Sequence, residues 1–295
     1  MKKVQEKNKT SMKKLHIFFN SKKKISLYNK AILIALILIY AFLKLLIPTA
    51  NAQEKKETFL ISTPWNESEG GRVRLAVTKP SASKERHGII EILLKPMWKT
   101  YWRNPGNSGI VPFFHFDQKV SYEIFYPTPQ LYEMENDWSF GYTDAVTLPF
   151  SVLGSDDNLS GSLTIGICNK LCIPLTINFN FSSFYGENIY IPSSLLKNAQ
   201  STLPRHIQHN KEIINAKRDR NSLLITIRKN AKNTPLSLFL DGGEMQIGPA
   251  KKITDHEKYT FFSAPIYFAP NEKSKTVFYT ISSEDYSFSG EFTIN

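Results

Sequence analysis

Cysteine is scarce in this chain: two residues of 295, Cys168 and Cys172. A tetrahedral zinc or copper site needs four convergent ligands. There is no second cysteine pair, and no histidine lies within a few residues of the first. Completing a site with His87, His115 or Met134 is therefore the weaker reading, and neither a metal nor a cofactor is expected. Long apolar runs are lacking beyond residue 52, where none approaches the roughly eighteen residues a membrane helix needs. A surplus of basic charge is lacking there as well. The formal net charge is +11, but residues 1–52 hold eleven lysines and one acid, Glu6, which leaves 26 basic and 25 acidic residues over 53–295. Such a balance supplies no electrostatic footprint for a nucleic acid, and no nucleic-acid partner is expected.

What remains is a composition that is 41% hydrophobic and 13% aromatic, enough to bury a core in about two domains. The first fifty residues read as an address. A lysine-rich stretch from Lys2 to Lys30 precedes the apolar run Ala31–Leu43, and Ala50-Asn51-Ala52 offers small residues where a signal peptidase cleaves. Residues 1–52 are thus expected to be a secretory signal peptide. The alternative is an uncleaved inner-membrane anchor over 31–47, because thirteen apolar residues rise only about 20 Å as a helix and counting on to Ile47 brings the segment close to a span. Either way the remainder is expected to be exported, into a compartment where disulfides persist.

After Gln53, short apolar or alternating runs recur at the spacing of an all-β sandwich: Arg72–Val77, Ile89–Leu94, Phe113–Phe116, Tyr122–Phe125, Ala145–Phe150, Leu163–Cys168 and Thr176–Phe181. Asn104-Pro105-Gly106 and Tyr126-Pro127-Thr128-Pro129 punctuate them. A polar stretch with Pro192, Pro204 and a short helix near Ile207–Lys217 interrupts the rhythm, which resumes at Leu223–Ile227, Leu236–Leu240, Lys258–Phe262, Val277–Ile281 and Phe288–Ile294. The expected organisation is all-β: a sandwich over 53–182, a linker over 183–204 and a second, smaller β-rich domain over 205–295.

Period-2 alternation runs unbroken through both cysteines. Leu163, Ile165 and Ile167 share one face, and Thr164, Gly166 and Cys168 the other; on the outgoing strand Ile173, Leu175, Ile177, Phe179 and Phe181 alternate with Cys172, Pro174, Thr176, Asn178 and Asn180. Both thiols are therefore expected to face away from the core, across a three-residue loop, Asn169-Lys170-Leu171, at a separation a disulfide can bridge. Chain entropy gives so small a loop only about 2 kcal/mol. A bridge that stabilises little and lies on an outer face is either an inert turn staple or an exchangeable pair, and geometry alone leaves both open.

Three blocks carry a resemblance. Met97-Trp98-Lys99-Thr100-Tyr101-Trp102-Arg103-Asn104-Pro105-Gly106-Asn107-Ser108-Gly109, Phe140-Gly141-Tyr142 and Cys168-Asn169-Lys170-Leu171-Cys172-Ile173-Pro174 resemble, in order and spacing, the N-terminal periplasmic domain of the thiol:disulfide interchange protein DsbD and its relatives. The match covers Arg72 to Phe181; the C-terminal β-domain is similar only loosely.

The resemblance implies an immunoglobulin-like sandwich and a protein-disulfide reductase module in the periplasm, with roles of the kind that support cytochrome c maturation or resistance to oxidative and copper stress. It implies Cys168 and Cys172 as the catalytic pair, shielded by an aromatic cap of Asp137, Trp138, Phe140 and Tyr142; the alternative for these rings is that they fill a sandwich edge. Full-length members continue into a multi-span membrane reductase domain and often a thioredoxin-like domain, and this protein is expected to stand alone without either. A separate membrane thiol reductase is the expected donor, and exported thiol or disulfide proteins are the expected acceptors. The three-residue cysteine spacing matches one branch of the family and is tighter than in its best-known enzymes. For the Trp98–Gly109 block packing is preferred over a partner-docking rim. The competing class is a non-catalytic periplasmic β-sandwich binding module with a structural hairpin disulfide.

Overall fold

A computed structural model describes residues 32–44, 58–107, 109–134, 137–182, 189–207, 213–229, 236–270, 275–283 and 286–294. The chain divides into two units, 1–56 and 57–295. In the first, residues 32–44 are helical. No helix among the described residues is long and apolar enough to cross a membrane.

The second unit is built almost entirely of antiparallel strands. One sheet of its N-terminal sandwich runs, in spatial order, Ile189–Pro192, Phe59–Ser62, Gly71–Val77, Glu85–Leu94, Ala145–Leu153 and Ser121–Ile124, with Asn66–Ser68 added on Gly71–Val77. The facing sheet runs Cys172–Ser182, Asn158–Cys168, Lys99–Tyr101, Asp137–Thr143 and Gln130–Met134, with Phe113–Phe116 also paired to Asn158–Cys168. Alternating side chains of both sheets make the core, among them Val73, Leu75, Ile90, Ile92, Leu148 and Phe150 against Leu163, Ile165, Ile167 and Phe140. This two-sheet packing over interdigitated inner faces is the immunoglobulin-like arrangement that the strand rhythm and the resemblance imply.

A further β domain follows. Its sheets order Arg205–His206, Ser287–Ile294, Lys275–Ser282, Ser237–Asp241 and Ile213–Asp219, Ser222–Arg228, Tyr259–Phe268, Gln246–Ile247, with Lys251–Asp255 on Tyr259–Phe268. They enclose a core of their own around Leu223, Ile225, Phe262, Val277, Tyr279 and Ile281.

Two expectations for the intervening stretch differ from what is observed. No helix follows Ile207 among the described residues: Ile213–Asp219 is a strand that pairs with Ser222–Arg228 across the two-residue turn Arg220-Asn221. The cross-strand partners that decide this lie outside the window in which the polar run was read. The helix is Ser194–Ser201, inside the segment expected as linker, and its Leu196 and Ala199 pack with Leu60, Ala76, Ile89 and Ile191 on the outer face of the first sandwich. Ile189–Pro192 pairs with Phe59–Ser62 in full register. The described part of this stretch is thus a cover on the sandwich, placed there because Leu60, Ala76 and Ile89 point away from the core and need burial.

Candidate functional site

Asn158–Cys168 and Cys172–Ser182, eleven residues each, form a hairpin in unbroken register, in which Cys168 stands directly opposite Cys172. Their Cα atoms are 4.1 Å apart and the two sulfurs are bonded. The alternation read from the sequence holds: Leu163, Ile165 and Ile167 are fully buried in the core, which puts both cysteines on the outer face.

That face is not open, however. Cys168 is 1% exposed and Cys172 half-buried. The cover is Tyr101. Lys99 pairs with Cys168, and the strand Lys99–Tyr101 alternates so that Lys99 and Tyr101 lie on the cysteine face while Thr100 and Trp102 turn inward. The Tyr101 hydroxyl lies 3.0 Å from the Cys172 sulfur; a disulfide sulfur carries no proton, so the phenol donates.

Two glycines make room for the ring. A Cβ on Gly109 would strike Tyr101 Cε1 at 2.6 Å, and one on Gly166 would meet Ile110 Cβ at 2.9 Å and Tyr101 Cδ2 at 3.2 Å. Tyr101 and Ile110 therefore meet over Gly166, two residues before Cys168.

Polar groups of the same face surround the ring. Lys99 Nζ donates to Ser139 Oγ at 2.7 Å and lies over the rings of Tyr101 and Tyr132 at 5.8 and 5.6 Å. Burial lowers the Lys99 pKa, and the charge of Asp137 opposes that shift. Burial, with the Asp137 charge adding to it, raises the Tyr101 pKa to about 12.

A phenol whose folded-state value lies above its unfolded one contributes stability that is fully present below the usual 10 and lost as pH rises through about 12. Absorbance titration of the tyrosinates is expected to show one phenol ionising near pH 12 that is missing from Tyr101→Phe. A full complement of phenols ionising near 10 would contradict it.

The segment expected as a cap divides between two faces. Asp137–Thr143 is a strand between Lys99–Tyr101 and Gln130–Met134. Trp138, Phe140 and Tyr142 point into the core, at 9%, 1% and 7% exposure. They fill the sandwich and do not lie over the sulfurs, because a strand alternates its faces and theirs is the face opposite the cysteines. Asp137 lies on the cysteine side with Ser139 and reaches Tyr101 and Lys99 electrostatically.

Replacing Tyr101 by alanine is accordingly expected to speed opening of the disulfide by glutathione about tenfold, with phenylalanine close to wild type because the ring remains and only a hydrogen bond worth about 1 kcal/mol is lost. Equal rates for all three proteins would remove Tyr101 as a shield.

Of the other residues considered, Lys170 is exposed at the hairpin tip. His87 and His115 are exposed on strands, and His87 approaches Glu85 at 3.6 Å. No group of three or more histidine, cysteine, aspartate or glutamate side chains among the described residues could hold a metal ion.

The Trp98–Gly109 block does more than pack. Trp102 is buried in the sandwich core. Asn104 donates its amide to Leu240 O at 2.8 Å and Ile247 O at 3.1 Å in the further β domain, and Arg103 lies 3.5 Å from Asp241. Asn104 also accepts from Gly106 N at 3.2 Å, which closes the Asn104-Pro105-Gly106 turn with Gly106 at a φ of +83°. Sequence reasoning missed Tyr101, Lys99 and Ser139 as site residues, because the three-residue strand Lys99–Tyr101 is too short to carry a period of its own.

With this geometry in place, comparison with known proteins is informative. Residues 73–180 match the family model "Thiol:disulfide interchange protein DsbD, N-terminal". No curated protein matches the chain. Among solved structures, the N-terminal periplasmic domain of ScsB from Proteus mirabilis is similar, with a TM-score of 0.69 and 21% identity over 80% of this chain and 99% of that one. At that identity the likeness speaks for the fold, and at 80% of the chain it reaches into the further β domain. The family match takes in both cysteines and Tyr101, so residues 73–180 are similar to the N-terminal domain of the thiol:disulfide interchange protein DsbD.

Proposed function

We propose that this protein is a periplasmic protein-disulfide reductase module that relays electrons through Cys168 and Cys172. The observation that carries the reading is the hairpin disulfide itself: it closes too small a loop to stabilise much, Cys172 is partly exposed, and the Tyr101 hydroxyl lies 3.0 Å from its sulfur within a segment that matches an interchange-type domain.

In the reduced protein the Cys172 thiolate attacks a disulfide of an exported target. One target sulfur leaves as a thiolate and takes up a proton, and a mixed disulfide links Cys172 to the other. Cys168 then attacks Cys172, releasing the second target thiolate and closing the Cys168–Cys172 bond, so two electrons have passed to the target. A separate membrane thiol reductase returns the pair to the dithiol. Residues 1–52 direct export, by cleavage or as an anchor. The sandwich over 53–182 carries the chemistry, and the cysteine-free domain over 205–295 docks and braces it.

The burial of Cys168 favours one competing reading, a binding module whose disulfide holds a turn. The equilibrium reduction potential of the purified protein, read by thiol trapping in glutathione and dithiothreitol buffers, separates the two. A reversible, moderately reducing pair is expected. A value far below roughly −300 mV, where structural disulfides lie, would overturn the relay.

A further inference from the structure

Two side chains beside the disulfide are exposed beyond any ordinary need. Met97 and Leu171, at 82% and 80%, are the most exposed large apolar residues among those described. Leu171 stands in the hairpin tip between the cysteines. Met97 belongs to the turn Lys95-Pro96-Met97-Trp98, closed by Trp98 N donating to Lys95 O at 3.1 Å. Met97 stands two residues before Lys99, which pairs with Cys168, so its turn adjoins the strand pair that carries the disulfide.

The backbone of Met97 sharpens the point. Its φ is +72°, in the left-handed region. A turn with proline at its second position and a positive φ at its third ordinarily takes glycine there, which adopts that conformation without cost. Here a methionine holds the position, bears the steric penalty of an L-residue and buries its side chain against nothing in its own chain. Its neighbour Trp98 turns the other way, toward Gly70 and Ile167.

Thiol exchange proceeds by attack on a sulfur, and whatever attacks Cys172 must touch the groups around it. We infer that Met97 and Leu171 form the apolar contact surface for the exchange partner, which is a protein presenting its cysteine on an apolar surface. This rests on the exchange reading above. A flexible thioether and a leucine adapt to several such surfaces, as suits a module serving more than one partner.

The test measures opening of the disulfide in the intact protein by glutathione, by a cysteine pentapeptide with leucine and phenylalanine flanks, and by one with serine flanks. Each rate is divided by that probe's rate with oxidised glutathione, which removes intrinsic thiol reactivity. The apolar peptide is expected to react about tenfold faster than the serine peptide, a preference corresponding to partial burial of two side chains. The double variant Met97→Gly, Leu171→Ser is expected to lose that preference and keep its glutathione rate. Glycine suits the turn and position 171 is exposed, so the variant folds. A wild type without preference, or a double variant that retains it, overturns the inference while leaving exchange intact. Failure of every thiol, glutathione included, to open the pair overturns the exchange reading and this one with it.

Discussion

Cys168→Ser is expected to accumulate a stable mixed disulfide with a target protein, and Cys172→Ser to react with none. The asymmetry follows from cover. Both sulfurs lie on the same face of one hairpin, but Cys168 is 1% exposed while Cys172 is only partly buried. A target disulfide can therefore reach Cys172, and only Cys172 lies close enough for Cys168 to attack. Without Cys168 the mixed disulfide on Cys172 has no resolving thiol and persists; without Cys172 the remaining thiol lies beneath Tyr101.

The phenol adds direction. Its O–H is 3.0 Å from the Cys172 sulfur, and it remains protonated well past neutrality because burial raises its pKa to about 12. A hydrogen bond donated to a sulfur favours the thiolate, which is the attacking species. Non-reducing electrophoresis and intact mass after incubation of each reduced variant with a disulfide-bonded substrate check this. Trapping by Cys172→Ser rather than Cys168→Ser would mean that Tyr101 leaves Cys168 open in solution.

The burial that produces this asymmetry is what the sequence concealed. Alternation through Leu163–Phe181 tells which face each cysteine takes, because period 2 is a local property of a strand. It says nothing about what crosses that face. The residues that cross it, Tyr101 and Ile110, lie some sixty positions earlier, and their approach depends on Gly109 and Gly166 carrying no Cβ, which no local pattern announces.

Strand length mattered as well. Lys99–Tyr101 is three residues, too short to show a period, and it is recognisable only by its partners Asp137–Thr143 and Asn158–Cys168. In Asp137–Thr143 the pattern was present, with Trp138, Phe140 and Tyr142 on alternate positions. The resemblance implied a cap there instead, and the glycine is present because a Cβ would collide with Thr100 O on the neighbouring strand. The long strands flanking the core, Gly71–Val77 and Ala145–Leu153, were legible because buried alternation extends over several residues in each.

Phe239→Ala is expected to destabilise the protein by about 3–5 kcal/mol, lowering Tm by on the order of 10 °C, although the residue lies about seventy positions from the cysteines and in the other β domain. On the strand Ser237–Asp241, Leu238 and Leu240 face the core of the further domain, and Phe239, between them, faces the opposite way. It is 8% exposed and enters the core of the first sandwich, with its ring 6.3 Å from Trp102 and 5.3 Å from Phe140, both edge-on. One strand thus serves two cores, and truncating its central ring leaves a cavity beneath the disulfide-bearing sheet.

The consequence for the site follows the backbone. Trp102 N donates to Phe140 O at 3.0 Å, and Tyr101, the next residue, pairs with Gly141 on the cysteine side. Packing lost behind Trp102 and Phe140 therefore loosens the strand that aims Tyr101 at Cys172. Faster opening of the disulfide by glutathione is expected alongside the lower Tm, measured by calorimetry and thiol trapping on the same variant. Leu238→Ala supplies the contrast, since its cavity opens in the further domain: it should lower Tm without changing the opening rate. An unchanged Tm in Phe239→Ala would mean that the two domains are not coupled through this ring, and equal opening rates in both variants would mean that the brace ends short of the cysteines.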